Sequence, residues 1–199
     1  PHTQILVWTL PDKASRLFTD AERAAAYAAL PANRQKNVYV GVGTRAKTPE
    51  KGKRGGSSSV AELFGLWADI DVAGPGHKKE NLPPTIDDAL EILASLPKEP
   101  SIVLHSGGGL QAYWLFESPV PPSPQILSLV YGWQCHIQTV AQSLGGWEVD
   151  SVHDAARVLR VPGTLNLKTD PPAEVTVLSA DDVRYSPEEF LPWTKEPPT

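Results

Sequence analysis

The chain has one cysteine, Cys135, and no methionine. A single cysteine excludes an internal disulfide and any cysteine-based zinc site, so no zinc is expected. Cys135 falls inside a helical pattern, where a thiol is ordinarily a small packed side chain, and the natural compartment is a reducing cytoplasm. No apolar run approaches membrane-spanning length, and the first residues lack a basic segment followed by a signal-type core, so no membrane partner is expected. Positive charge is short as well. Lys and Arg number 18 against 23 Asp and Glu, a formal net charge of −5. Any contact with nucleic acid must therefore come from a local basic patch. The five histidines (His2, His77, His105, His136 and His153) are scattered, which excludes the His-x-His metal cluster of a relaxase-type nicking enzyme. A start at Pro1 without methionine reads as a domain excised from a longer chain, and the ending "TKEPPT" (194–199) reads as a linker.

What the chain does have is an ordinary globular composition, 41% hydrophobic and 21% charged over 199 residues. That suffices for one substantial core, or for two small lobes sharing a cleft. Strands are expected at 4–10, 37–43, 63–72, 101–117 (two strands joined through Ser106–Gly109) and 173–179. A helix over 18–30 would be capped by Thr19 with Glu22, one from Thr85 to about Leu96 by Thr85 with Asp88, and a long one from Ser123–Pro124 to Gly145–Gly146. A short helix, a Pro-Gly turn and a strand are expected over 150–168, and a short terminal helix over 186–193. The stretches 44–59 and 73–84 read as loops, the first basic and mobile. Intermixed strands and helices without repeats give an α/β (α+β) class, one compact module over residues 1–199.

Three segments could carry chemistry. In "LFGLWADIDV" (63–72), alternation puts Trp67, Asp69 and Asp71 on one strand face. Two adjacent carboxylates repel unless a cation or water relieves them, so a divalent metal and an exposed strand end are both open readings. In "LHSGGGLQAYW" (104–114), successive glycines allow positive φ and close approach of backbone N–H groups to a ligand, or simply form a loose hairpin turn. No Gly-Lys-Ser/Thr follows, so this is not a Walker loop. In "HDAARVLRVPGTLNLK" (153–168), helical spacing would make Asp154, Arg157 and Arg160 successive i, i+3 neighbours near a turn, with Asn166 and Lys168 on one face of the next strand. An ordinary surface ion pair is the alternative. Asp150 is a rival carboxylate on the flank. Tyr113, Trp114, Trp8 and Trp133 read foremost as packing.

In this order the segments resemble the archaeo-eukaryotic primase superfamily, most of all the primase-polymerase domains of phages and plasmids. "WADID" matches its DxD motif, "HSGGGLQAYW" its Ser-Gly-x-Gly-x-His segment, and "DAARVLRVPGTLNLK" the third acid followed by R-x-x-R-x-P-G-T. One departure stands out: Gln111 occupies the position of the usual nucleotide-contacting histidine, and His105 is a candidate substitute. The resemblance implies a two-lobed fold, an N-terminal α/β lobe packed on an RNA-recognition-motif-like lobe with the active site between.

It further implies template-directed nucleotidyl transfer, by a primase or DNA polymerase, with two Mg²⁺ or Mn²⁺ ions held by Asp69, Asp71 and Asp154. His105, Ser106, Gly107, Gly108, Gln111, Arg157, Arg160 and Lys168 would bind the nucleotide. On charge, Arg45, Lys51, Lys53 and Arg54 would grip a single-stranded DNA template. Partners would be that template, ribo- or deoxyribonucleoside triphosphates, and a helicase domain or protein. A non-catalytic nucleic-acid-binding module and a metal-dependent nuclease are the competing expectations.

Overall fold

The computed structural model describes residues 3–74 and 80–198. Among these residues one mixed α/β architecture is built on an eight-stranded sheet. Its strands are β1 (Gln4–Leu10), β2 (Ala14–Phe18), β3 (Asn37–Arg45), β4 (Val60–Asp71), β5 (Ile102–His105), β6 (Gly109–Val120), β7 (Val158–Arg160) and β10 (Thr176–Ala180), while β8 (Leu165–Asn166) and β9 (Ala173–Glu174) form a separate hairpin. The order is β10-β5-β6-β4-β3-β1-β2, with β7 added to β3. The helices are α1 (Ala21–Ala28), α2 (Ile86–Ala94) and α3 (Pro124–Gly145).

Alternation along β6 explains the layering. Ala112, Trp114 and Phe116 are buried, while Tyr113 and Leu115 on the other face are only partly covered. Trp114 meets Trp133 of α3 edge-on at 5.2 Å, so α3 covers the first face. Trp133 also contacts Phe190 and Trp193 of the C-terminal 3-10 turn. Gly132 makes that docking possible: a Cβ there would stand 1.8 Å from the Trp193 carbonyl oxygen. The expected two lobes take the form of two cores on one sheet. A small one joins Val7, Ala24, Ala28 and Val38 under α1, and a large one spans β4, β6, α2 and α3.

The cleft arises where β3 and β4 part. They pair at Gly43↔Leu63 and Arg45↔Val60, whereas Tyr39–Gly41 of β3 pairs instead with β7. Meanwhile β4 runs on to Asp71, held by β6 from Gly65↔Leu115 to Asp71↔Gly109. The chain thus opens a wedge with its paired aspartates at the edge.

Several boundaries differ from the sequence reading. The cap of α1 is Asp20, whose carboxylate accepts from the Arg23 N–H, rather than Thr19. The strand β2 was not anticipated. The helix expected after 150 is a turn, because its carbonyls are taken from elsewhere: Ala156 O accepts from Arg45 and Arg54, and Arg157 O accepts from the Val42 N–H. Five residues of the expected 73–84 loop, 75–79, and Thr199 of the tail lie outside the described residues.

Candidate active site

Asp69 stands on the wedge-facing side of β4, directly across from Gln111 of β6. The Gln111 side chain is 3% exposed and spends both ends of its amide: Nε2 donates to Asp69 Oδ1 at 3.3 Å, and Oε1 accepts from the Arg160 backbone N–H at 3.0 Å. It therefore clasps β4, β6 and β7 together. Burial, and then the neighbouring Asp71 carboxylate, push Asp69 up to about 6, against the Gln111 hydrogen bond and the Arg157 and Arg160 charges.

A polar pocket of about 240 Å³ surrounds the pair. Of the residues assigned from sequence, Asp69, Asp71, Ser106, Gly108, Gln111, Arg160 and Lys168 line it. Tyr39, Asn166 and Thr169 line it too and were not assigned. Asn166 was the legible one, since it shares a strand face with Lys168. Tyr39 gave no signal, because its part depends on β7 pairing with β3. Arg160 lies over the Tyr39 ring, 5.1 Å from its centroid, and Nη1 donates to Asn37 Oδ1 at 2.8 Å. Burial lowers the Arg160 guanidinium's proton affinity, which Tyr39 and Asp69 partly restore.

The glycine turn is fixed by its surroundings. Gly107 has φ +87, which favours glycine, and a Cβ there would come within 3.0 Å of Asn166 and Ala173 on the β8–β9 hairpin. Asn166 Nδ2 donates to the Ser106 carbonyl at 2.9 Å. His105 turns toward this same loop: its Nδ1 accepts from the Gly107 N–H at 3.2 Å. Neither His105 nor Gly107 lines the polar pocket.

The third acid stands in an ion-pair cluster. Asp154 pairs with Arg157 at 2.7 Å and Arg54 at 3.8 Å, and it does not line the pocket of Asp69 and Asp71. Among the described residues no group of three His, Cys, Asp or Glu side chains is placed to hold a metal ion. Two guanidiniums neutralise Asp154 where a metal cluster was expected. Arg157 connects the two acids electrostatically, because its charge also acts on Asp69, and its buried Nε has no hydrogen-bond partner. The carboxylate pair by itself fits a hard divalent cation, since Mg²⁺ is commonly bound through one or two carboxylates together with substrate phosphates.

The basic segment also departs from expectation. Arg45 is fully buried, with Nη1 donating to Gly43 O and Nη2 to Ala156 O, so it is a structural cation rather than a template contact. Burial, then the charge of Arg54, lowers it to about 10. Arg54 Nη1 donates to Ala156 O at 3.2 Å, and Ser15 Oγ donates to Lys53 O at 2.5 Å, so 44–59 is tied down at its end. Lys53 pairs with Glu50 at 2.6 Å, and Lys51 is exposed. Beneath this segment a cavity of about 710 Å³ is walled in part by Trp8, Lys13, Lys47, Lys53 and Arg54. No described helix is long and apolar enough to cross a membrane.

No family model matches the sequence, and no curated protein matches it. Solved structures do. The archaeo-eukaryotic primase domain of the cyanophage S-2L primase-polymerase superposes with a TM-score of 0.59 at 16% identity, over 98% of this chain and 89% of that one. Primase RepB′ gives 0.49 at 14% identity over 92% and 52%. The catalytic domain of primase RepB′ in complex with initiator DNA gives 0.49 at 12% identity over 92% and 78%. The antiparallel sheet backed by helices is thus shared with that phage domain over nearly its whole length, and the chain has the primase-polymerase fold.

Proposed function

We propose that the chain is a nucleotidyltransferase of DNA replication that joins nucleotides on a single-stranded DNA template. The observation that carries this is the polar pocket. On a primase-polymerase fold, Asp69 and Asp71 face Ser106 and Gly108 of the glycine turn and the cations Arg160 and Lys168 across about 240 Å³.

In the reaction, a 3′-hydroxyl gives up its proton to water and its oxygen bonds to the α-phosphorus of the incoming triphosphate. The bond from that phosphorus to the bridging oxygen breaks, and pyrophosphate departs. Asp69 and Asp71 would hold Mg²⁺ or Mn²⁺, which when bound supplies the charge that acidifies the hydroxyl and offsets the pyrophosphate. Ser106 and the Gly108 backbone offer hydrogen bonds to phosphate oxygens. Lys168, exposed at the pocket wall, neutralises the same group. Lys51, Lys53 and Arg54 serve the template backbone by charge.

The test is incubation with single-stranded template, Mg²⁺ or Mn²⁺ and labelled nucleotides, with and without primer. Metal-dependent incorporation is expected, and its absence under both conditions overturns the assignment. A second reading, a non-catalytic nucleic-acid-binding module, is favoured by one observation, the capture of Asp154 by Arg54 and Arg157. That reading predicts template binding without incorporation.

A further inference from the structure

The polar pocket is too small for a whole nucleotide. Its 240 Å³ lies below the ~300–1,000 Å³ of sites that enclose small molecules. An apolar groove of about 460 Å³ lies on the same sheet face, walled by Trp67, Ile102, Leu104, Tyr113, Leu115 and Val177. Arg160 lines both spaces. The two are also joined along β6: Gln111 lines the polar pocket, and Tyr113, two residues on and on the same face, lines the groove, a step of roughly 7 Å. The Tyr113 phenol responds to the Asp69 charge as well, being pushed up by burial and then by that carboxylate. Arg160 is not free to swing across the seam, because Asn37 and the Tyr39 ring hold it.

We infer that the apolar groove completes the nucleotide site by receiving the nucleoside, base and sugar, of the triphosphate whose phosphates occupy the polar pocket. The division follows chemistry. Phosphates need the N–H donors and cations of the glycine turn and Lys168, whereas a base is a flat, weakly hydrated plate that gains by leaving water against aliphatic and aromatic walls. The rim is open at Val177, 51% exposed, which leaves a base edge available to a template strand. Apolar walls read no base-specific hydrogen-bond pattern, so the groove accepts every base and leaves selection to pairing.

This inference rests on the nucleotidyl-transfer reading, and its test separates the two. Binding of a purine nucleoside triphosphate and of inorganic tripolyphosphate, each with Mg²⁺ and without template, is measured by titration calorimetry. The wild type is expected to favour the nucleotide by roughly 10- to 100-fold, the return on burying the base. Leu115→Trp, which fills the groove, and Val177→Trp, at its exposed rim, should abolish that preference while leaving tripolyphosphate binding unchanged. Leu178→Trp, exposed on β10 and outside the groove, should keep it. Should Leu115→Trp fail to fold by circular dichroism, Val177→Trp decides. Groove variants that retain the full preference, or a wild type that has none, overturn the inference alone. A wild type that binds neither ligand overturns the functional reading and the inference with it.

Discussion

Asp69 is the residue on which the physical account turns. A half-buried carboxylate beside another carboxylate binds its proton more tightly in the folded chain than in the unfolded one, and its value of about 6 says so. Between about 3.8 and about 6 the native state therefore holds a proton that the unfolded state has released, and stability falls as pH rises through that window. In metal-free protein, Asp69→Asn is expected to stabilise at pH ~7.5, by up to about 3 kcal/mol, and to have no effect near pH ~4, where the wild-type group is already neutral. Denaturant unfolding with chelator present measures it. Added Mg²⁺ should stabilise the wild type and not the variant. Equal stability of the two proteins at every pH would show that Asp69 is not held under repulsion.

At the scale of elements, the site depends on one side chain tying three strands. Gln111 donates to Asp69 on β4 and accepts from the Arg160 N–H on β7. With one amide N–H committed to Asp69 and the oxygen to the Arg160 N–H, its part here is to orient the carboxylate. Gln111→Ala is expected to cost about 1–3 kcal/mol of stability through the two orphaned partners. It should also weaken activity or apparent Mg²⁺ affinity roughly 10- to 100-fold, the usual effect of losing a group that orients a metal-holding carboxylate. The KM for nucleotide should hold. Steady-state kinetics over a Mg²⁺ series reads both quantities, and a raised KM with unchanged metal dependence would make Gln111 a phosphate contact instead.

Elements were legible where local chemistry decides them. The caps Thr85 with Asp88 and Ser123 with Pro124, and the alternation of 63–72 and 101–117, appear as read. The segment after Asp150 was not legible. Its helical spacing is real, but hydrogen bonds from Arg45, Arg54 and Val42, about a hundred residues away, claim its carbonyls and hold it as a turn. The same contacts bury Arg45, which in sequence looks like one more cation of a basic loop.

For the whole molecule, the proposed site lies in the wedge between two strand pairings, and no short window of sequence contains it. The DxD, the glycine turn and the Pro-Gly turn signalled that three distant segments act together, and the sheet order brings them to one face. It does so with a difference: the third acid arrives neutralised by two arginines, and the pair Asp69–Asp71 faces the pocket without it. The net charge of −5 leaves attraction for nucleic acid to the local cations of 51–54 and the site itself. The central claim is therefore that this pair holds the cation that makes the chain a nucleotidyltransferase. Its most direct measurement is template-directed incorporation by the wild type and by Asp71→Asn across a Mn²⁺ series. The account predicts metal-dependent synthesis by the wild type and a loss of at least ~10²-fold in the variant; synthesis by Asp71→Asn at the wild-type rate and metal dependence would contradict it.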